Sequence, residues 1–212
     1  MTTKSLDTRR GRPKTPKWLV RQALATGFRA RPREPLPEYL EPNEVEGLLR
    51  LAPSPEARLI SLIQWRAGLR ISEVLALEVG DFQMSGDEPV LRVRYGKGAG
   101  GARLVPTHPE LREAIHARLL YAPRGPGPIL PYNPSTAWRW LKQALIAAKR
   151  EGFLKGRDIS THVFRHSAAR HWLASGVPIN VVSRWLGHSS IQTTLIYLQI
   201  LPDPVGYMER VP

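Results

Sequence analysis

The stretch VLRVRYGKGAGGARLV, residues 90–105, decides the fold class. Apolar and polar side chains alternate over residues 90–95, a pattern typical of a half-buried β-strand, and residues 102–105 read as a return strand. Between them lie Lys97, one alanine and four glycines, a composition that favours a turn. The stretch therefore predicts an antiparallel β-hairpin whose glycine-rich tip carries Lys97.

Helical periodicity surrounds this hairpin on both sides. Upstream, apolar residues recur at helical spacing within residues 45–52 and 56–67, and Ser72 is placed to cap a third helix over 73–78. Downstream, the pattern predicts helices over residues 109–121, 134–151, 161–175, 178–186 and 190–201, with Gly152, Gly176 and Gly187 as end signals. We therefore expect an α+β domain over residues 37–212, mostly helical with one small antiparallel sheet.

The first 36 residues differ from the rest in charge. The chain has 212 residues, with 31 Lys and Arg against 18 Asp and Glu, a net charge of +13 and a pI of 10.7. Ten basic and two acidic side chains fall in residues 1–36, so this proline-interrupted arm carries +8 of the charge. Such an arm is typical of nucleic-acid-binding proteins, although a solvated tail, a linker or a transit peptide has a similar composition. The side chains expected to contact DNA are Arg9, Arg10, Arg12, Lys14, Lys17 and Arg21.

The sequence argues against several other kinds of site. Without cysteine the chain has no disulfide, thiolate metal site or cysteine nucleophile. The longest purely apolar runs are about five residues, whereas a membrane span needs about 20. The glycines of residues 96–101 fit G-x-G-x-x-G, but a strand follows where a dinucleotide site needs a helix. His162 and His166 are four residues apart, yet no carboxylate or cysteine joins them at a familiar spacing, so we expect no metal and no cofactor.

Two segments near the end of the chain carry residues suited to phosphodiester chemistry. They are THVFRHS, residues 161–167, and LGHSS, residues 186–190, the second followed by Tyr197. A tyrosine hydroxyl can form a covalent intermediate, and fixed guanidinium groups can neutralise the non-bridging phosphate oxygens without a metal. His162 and Arg165 are spaced to share a helix face, and Tyr197 lies about two helical turns beyond Ser190. These residue types fit metal-free nucleophilic attack on phosphorus.

Together with two further segments, these residues resemble the tyrosine recombinase (phage integrase) family over roughly residues 37–201. The family's first signature block is similar to AGLRISEV, residues 67–74, and its second to His162-x-x-Arg165-His166. Its third is similar to LGHSSIQTT, residues 186–194, leading to Tyr197, and Lys97 in the hairpin turn is similar to its catalytic lysine. Each segment alone is a weak signal, but four in the family's order make coincidence improbable.

The resemblance implies the residues that move bonds and protons. Tyr197 would attack the scissile phosphate, form a 3′-phosphotyrosyl bond and free a 5′-hydroxyl. Lys97 would protonate the leaving 5′-oxygen, and His162 would act as an acid or base near the tyrosine. Because an ordinary tyrosine has a pKa of about 10, nearby cations and a hydrogen-bonding histidine would be needed to favour its ionised form.

The resemblance also implies the residues that bind the phosphate. Arg70 and Arg165 would contact the non-bridging oxygens, and His188 would donate a further hydrogen bond there. Glu73 would orient Arg70 from behind, or act as a first-turn acid that the helix dipole stabilises. The other aromatic and histidine side chains of this region are expected to pack or to support DNA binding, without catalytic roles: His166, His171, Trp172 and Trp185.

At the level of the whole protein, the resemblance implies a site-specific recombinase that cuts and rejoins double-stranded DNA without metal or ATP. Such a protein would be prokaryotic, cytoplasmic and DNA-associated, would act as a tetramer on two DNA sites, often for a mobile element, and would need neither a membrane nor a small-molecule substrate. Two alternatives stay open, namely a non-cutting accessory protein at recombination sites and a type IB topoisomerase-like nicking-closing enzyme.

One departure from the family pattern concerns the N-terminal side. Family members commonly carry a helical DNA-clamping domain there, whereas residues 1–36 are too few for a second core. The chain is therefore expected to be either a minimal recombinase whose arm clamps DNA or a truncated gene product.

Overall fold

The computed structural model describes residues 36–83, 88–94, 102–121, 127–154, 157 and 159–201. Arm residues 1–35, with all the basic side chains expected to contact DNA, lie outside the described residues. The hairpin tip with Lys97 and the tail after Leu201 lie outside them as well.

Helices dominate the described part of the chain. Before the sheet come α1 (Pro42–Arg50), α2 (Pro55–Ala67), α3 (Ile71–Leu75) and a 3₁₀ turn (Val79–Asp81). After it come α4 (Pro109–Leu120), α5 (Pro134–Arg150), α6 (Val163–Ala174), α7 (Ile179–Leu186) and α8 (Gln192–Leu195), which continues as a 3₁₀ helix (Ile196–Ile200). A proline opens α1, α2, α4 and α5, where its missing N–H would have no helical partner.

The predicted hairpin is present and gains one short strand. Strands β1 (Phe82–Gln83), β2 (Val90–Arg94) and β3 (Ala102–Pro106) form an antiparallel sheet in the order β1-β2-β3. In the register of β2 and β3, Leu91 pairs with Val105 and Val93 pairs with Arg103, and all four side chains are buried. The predicted class, a mostly helical α+β domain with a small antiparallel sheet, is confirmed.

Two predicted helices are wrong in their details. Helix α3 spans Ile71–Leu75 rather than 73–78; it begins before Ser72 because Arg70 is its N-cap and the Glu73 carboxylate accepts the Arg70 backbone N–H at 2.7 Å. The single helix predicted over residues 190–201 is split, with α8 first and the 3₁₀ helix after it. Tyr197 therefore lies in 3₁₀ rather than α-helical backbone.

The core forms around α2, which packs against α6. Gln64 on α2 is buried and donates from Nε2 to the Thr161 carbonyl at 3.0 Å, which ties α2 to the start of α6. On α6 the Ser167 hydroxyl accepts the Leu40 backbone N–H at 2.8 Å. A smaller apolar cluster joins Tyr197 to Ala169 on α6 and to α7, so the last segment is packed against both helices.

Candidate active site

Arg165, the second arginine of the predicted pair, is hydrogen-bonded to the C-terminal ends of two helices. Arg165 lies in the first turn of α6, is 3% exposed, and donates from Nη1 to the Gly68 carbonyl at 2.6 Å and from Nη2 to the Leu186 carbonyl at 2.7 Å. Gly68 ends α2 and Leu186 is the last residue of α7. The guanidinium therefore fixes the first and third signature segments relative to α6.

Glu73 is the carboxylate around which three arginines of the site gather. Its carboxylate lies 3.2 Å from Arg70 Nη1 and 3.7 Å from Arg165 Nη1, and it forms a bidentate pair with Arg103 at 2.9 and 2.8 Å. Burial alone would raise the pKa of Glu73, but the hydrogen bonds and charge of Arg103, with help from Arg70 and Arg165, lower it below its ordinary value. The carboxylate is thus ionised and orients three arginines.

Two glycines in left-handed backbone make this close packing possible. Gly68 has φ of +65°, and a Cβ there would lie 2.8 Å from the Trp172 ring. Gly187 has φ of +68°, and a Cβ there would lie 2.9 Å from Arg103 Nη1. Arg103 also donates from Nε to the Trp185 carbonyl at 2.7 Å. Both turns bring backbone carbonyls against guanidinium groups, which a side chain would hold apart.

The predicted nucleophile is buried beside a histidine. Tyr197 is 3% exposed, and its hydroxyl lies 2.8 Å from His166 Nδ1. Burial raises the pKa of Tyr197, and the charges of Arg165 and Arg70 act in the opposite direction. The phenol is therefore protonated at neutral pH, and its reaction as an oxyanion requires a group that takes the proton.

His188 follows Gly187 and lies against the same tyrosine. Its ring is parallel to the Tyr197 ring within 10°, with centroids 6.5 Å apart, and its Nδ1 lies 2.8 Å from the Oγ1 of the fully buried Thr194. Burial, followed by the charges of Arg165 and Arg70, lowers the pKa of His188 to about 4. The ring is neutral at physiological pH, and the Thr194 contact leaves Nε2 as the nitrogen for a ligand.

Arg165 keeps its positive charge although Arg70 lies close to it. Burial and then the charge of Arg70 lower the pKa of Arg165 to about 10, which still leaves the guanidinium protonated at neutral pH. Arg70 is more accessible, with 42% of its side chain exposed. Part of the cluster is thus open to solvent, and an anion that approaches Arg70 would relieve the repulsion between the two arginines.

The structure brings four of the six predicted catalytic residues into one cluster. Arg70, Arg165, His188 and Tyr197 are linked by the contacts above, with Glu73 behind the arginines. The other two are His162, which is the exposed N-cap of α6 with its ring 6.2 Å from His166, and Lys97, which lies outside the described residues.

Sequence reasoning misses two members of the site. It predicts only packing or DNA support for His166 and no role for Arg103. A signal for Arg103 exists, because Arg103 and Val105 share a strand face whose partners Val93 and Leu91 are apolar. A charged side chain on that inward face indicates a buried ion pair. His166 belongs to the second signature block, but its contact with Tyr197 spans 31 residues, so no local pattern predicts that contact.

Neither a metal cluster nor a membrane helix occurs in the described part of the chain. No group of three or more His, Cys, Asp and Glu side chains gathers there in a way that could hold a metal ion. No helix in that part is both long and apolar enough to cross a membrane.

The sequence matches a family model and resembles several known recombinases. The sequence model of the phage integrase family matches residues 38–203, more than half of the chain. A tyrosine recombinase of Thermosipho africanus is 37% identical over 180 residues, which cover 79% of this chain and 59% of that protein. A resolvase of Escherichia coli is 29% identical over 217 residues, which cover 89% of this chain and 81% of that protein.

A solved structure gives the same fold. The XerH site-specific recombinase, bound to palindromic difH substrate in a post-cleavage complex, has a TM-score of 0.66 and 22% identity to this chain. The match covers 87% of this chain and 56% of that one. With the family match over residues 38–203 and a shared fold, the chain belongs to the phage integrase family and carries a tyrosine recombinase catalytic domain.

Proposed function

We propose that this domain cuts and rejoins double-stranded DNA at specific sites through a covalent 3′-phosphotyrosyl bond to Tyr197. One observation carries the proposal, namely that Arg165 joins the ends of α2 and α7 through the Gly68 and Leu186 carbonyls. This brings Arg70, His188 and Tyr197 to the same guanidinium, although they lie far apart in the sequence. A stability role alone gives no reason to place a tyrosine hydroxyl beside two arginine charges and two histidines.

The arginines and His188 are suited to hold the phosphate. A guanidinium has five N–H donors, and the two carbonyl contacts of Arg165 use two of them. The donors that remain, with the half-exposed Arg70, can reach the non-bridging oxygens and stabilise the charge that develops there. His188 can donate from Nε2 in the tautomer in which its Nδ1, 2.8 Å from Thr194 Oγ1, accepts the threonine hydroxyl proton.

Cleavage and rejoining each exchange one bond to phosphorus and two protons. The Tyr197 oxygen attacks phosphorus while a neighbouring histidine accepts its proton, the bond from phosphorus to the 5′-oxygen breaks, and that oxygen takes a proton from Lys97. In rejoining, the 5′-hydroxyl attacks and gives its proton to Lys97, and Tyr197 leaves with the proton that the histidine returns. Because the phosphodiester energy is kept in the phosphotyrosyl bond, no nucleotide triphosphate is needed.

DNA as the partner is supported by charge and by likeness. The net charge of +13 favours a polyanion, and the structurally similar XerH recombinase is described with bound DNA substrate. We further propose that the basic arm, residues 1–36, contacts the DNA backbone, and that the protein assembles as a tetramer on two paired sites. Sedimentation of the protein with one and with two site equivalents tests the tetramer, and a monomer under both conditions contradicts it.

Covalent trapping tests the cutting reaction directly. The protein is incubated with nicked duplexes from its own genomic neighbourhood in EDTA, and adducts are separated on a denaturing gel. The expected result is an adduct with the wild type and none with Tyr197→Phe, whereas Arg70→Ala and Arg165→Ala abolish the adduct with only a modest loss of DNA binding. Salt-sensitive binding without any adduct would instead favour a non-cutting accessory protein, and relaxation of a single duplex without strand exchange would favour a topoisomerase.

A further inference from the structure

We propose that His166 is the general base of the cleavage step, which takes the proton from the Tyr197 hydroxyl as the phosphotyrosyl bond forms. The inference rests on the proposed function and names a residue for which the sequence predicted only packing or DNA support. Its first support is distance. In the described part of the chain, the side chain within hydrogen-bond reach of the Tyr197 hydroxyl is His166, with 2.8 Å from Nδ1 to Oη.

The other two histidines of the site are placed for other tasks. His188 stacks on the face of the tyrosine ring, and its Nδ1 is engaged by Thr194 at 2.8 Å. His162 is exposed, and its ring contact is with His166, at 6.2 Å between centroids. The exposed His162 ring therefore lies between His166 and solvent, where it can pass on a proton that His166 accepts.

The charge state of His166 suits a base that works only with substrate bound. Burial, then the neighbouring His162 and the Arg165 charge, lower the pKa of His166 to about 4, so the ring is neutral at neutral pH and one of its two nitrogens can accept a proton. In the free protein the proton stays on Tyr197, whose own pKa is raised. A phosphate bound to Arg165 would offset the charge that weakens His166 as a base, so proton transfer would accompany attack on phosphorus.

The proton balance separates this role from that of the leaving group. The Tyr197 proton moves to His166 Nδ1 while the oxygen-to-phosphorus bond forms, and the 5′-oxygen receives a different proton, from Lys97 in the mechanism above. A substrate with sulfur in place of the bridging 5′-oxygen needs no proton on its leaving group, because a thiolate is stable at neutral pH. The 5′-sulfur substrate should therefore restore cleavage by a variant that lacks the acid, Lys97, but not by a variant that lacks the base, His166.

Single-turnover cleavage of matched oxygen and 5′-sulfur suicide substrates tests the assignment. His166→Asn keeps a hydrogen-bonding group near the Nδ1 position but cannot accept a proton, and it should slow cleavage of both substrates by roughly 100-fold or more. Lys97→Ala should be slow with oxygen and fast with sulfur. His116→Asn, at an exposed histidine on α4, is the matched control and should cleave at the wild-type rate.

The pH profile supplies a readout that packing alone would not move. Without its base, His166→Asn depends on the tyrosinate fraction, so its rate should rise about tenfold per pH unit below the pKa of Tyr197, while the wild type stays flatter. In the described part of the chain, the charged and titratable groups around His166 are the N-cap His162 and Arg165 at the start of α6, Tyr197 on the 3₁₀ helix and His188 after α7. Comparison with His162→Asn separates the two neighbouring rings.

Three outcomes would overturn the inference: a folded His166→Asn variant that cleaves within about threefold of wild type, restoration of that variant by the 5′-sulfur substrate, or a base defect found in His162→Asn instead. Thermal unfolding and DNA affinity of each variant show whether it is folded and binds. If wild type forms no adduct at all, the proposed function has failed, whereas a wild-type adduct with a fast His166→Asn variant removes only this inference.

Discussion

The Glu73 carboxylate and the Arg103 guanidinium form a bidentate ion pair at 2.8 and 2.9 Å, with 14% and 2% of the two side chains exposed. The pair joins β3 to the first turn of α3, where Arg70 is the N-cap. Since Arg103 also contacts the Trp185 carbonyl and packs under Gly187, the same guanidinium supports the turn that carries His188. The ion pair thus connects the arginine and histidine sides of the site.

Removal of this carboxylate should be strongly destabilising. Glu73→Gln removes the bidentate carboxylate partner of the buried Arg103 guanidinium, and breaking a buried pair in this way costs about 3–5 kcal/mol of unfolding free energy. Urea unfolding measures the change. The matched control is Glu151→Gln, which breaks an exposed pair with Arg50 at 2.5 Å and should leave the unfolding midpoint unchanged. Equal effects of the two substitutions would show that the buried pair contributes no more than a surface pair.

The turn before His188 should not tolerate a side chain. Gly187→Ala places a methyl group 2.9 Å from Arg103 Nη1 in a backbone with φ of +68°, so both strain and displacement of the guanidinium follow. Gly176→Ala has comparable backbone strain, with φ of +85°, but nothing lies within 4 Å of its Cβ. We expect both variants to lower the unfolding temperature, and Gly187→Ala alone to reduce adduct formation. Equal adduct formation by the two would contradict a role for this turn in the site.

Thr194 should matter to the reaction more than to the fold. Thr194→Val keeps the shape of a fully buried side chain but removes the hydroxyl that lies 2.8 Å from His188 Nδ1. A hydrogen bond of about 1.4 kcal/mol that orients the ring corresponds to about tenfold in cleavage rate. The exposed neighbour provides the control, since Thr193→Val should leave single-turnover cleavage unchanged. A Thr194→Val rate equal to wild type would show that the contact does not orient His188.

Stability should fall as the pH drops from 6.5 towards 4. His166 and His188 have pKa values of about 4 in the folded protein against an ordinary 6.5, so the unfolded chain binds protons first in this window and is favoured. Glu73 acts in a lower window, because its lowered pKa makes its contribution fade below 4.5. Unfolding temperatures across this range give the slope.

The double variant His166→Gln, His188→Gln should flatten that slope in part. A residual slope is expected, because burial also lowers the pKa of His108 and His171. The exposed His116 serves as the control position, with His116→Gln following the wild-type curve. If the double variant keeps the full slope, these two rings are not the groups that are kept neutral in the fold.

The basic arm should determine much of the salt dependence of DNA binding. Changing Arg9, Arg10 and Arg12 to Gln removes up to three cations that can neutralise phosphates. The slope of log affinity against log salt should therefore decrease by about 0.9 for each phosphate that is no longer neutralised. Affinity titrations at several salt concentrations measure it. Replacement of the same three residues by Lys keeps the charge and should keep the slope. An unchanged slope in the Gln variant would exclude phosphate binding by these residues.

The sequence alone determined the helices and strands, because these depend on residues that are close along the chain. Alternation over residues 90–95 and 102–105 predicted the two hairpin strands because side chains on a strand repeat every two residues, and helical spacing predicted the helices. The signature segments identified the catalytic candidates by residue type and spacing. None of this required knowledge of which segments meet in space.

The tertiary structure decided which side chains from different segments come into contact. On β3, Arg103 is buried and Leu104 is 52% exposed, the reverse of what polarity alone predicts, because Glu73 and the Trp185 carbonyl satisfy the buried guanidinium. His166 rather than His162 reaches Tyr197: His162 is the N-cap of α6, whereas His166 lies four residues further along that helix and meets the tyrosine on the 3₁₀ segment. A sequence pattern records the spacing within one segment, but it cannot give the position of one segment against another, which depends on packing over the whole core.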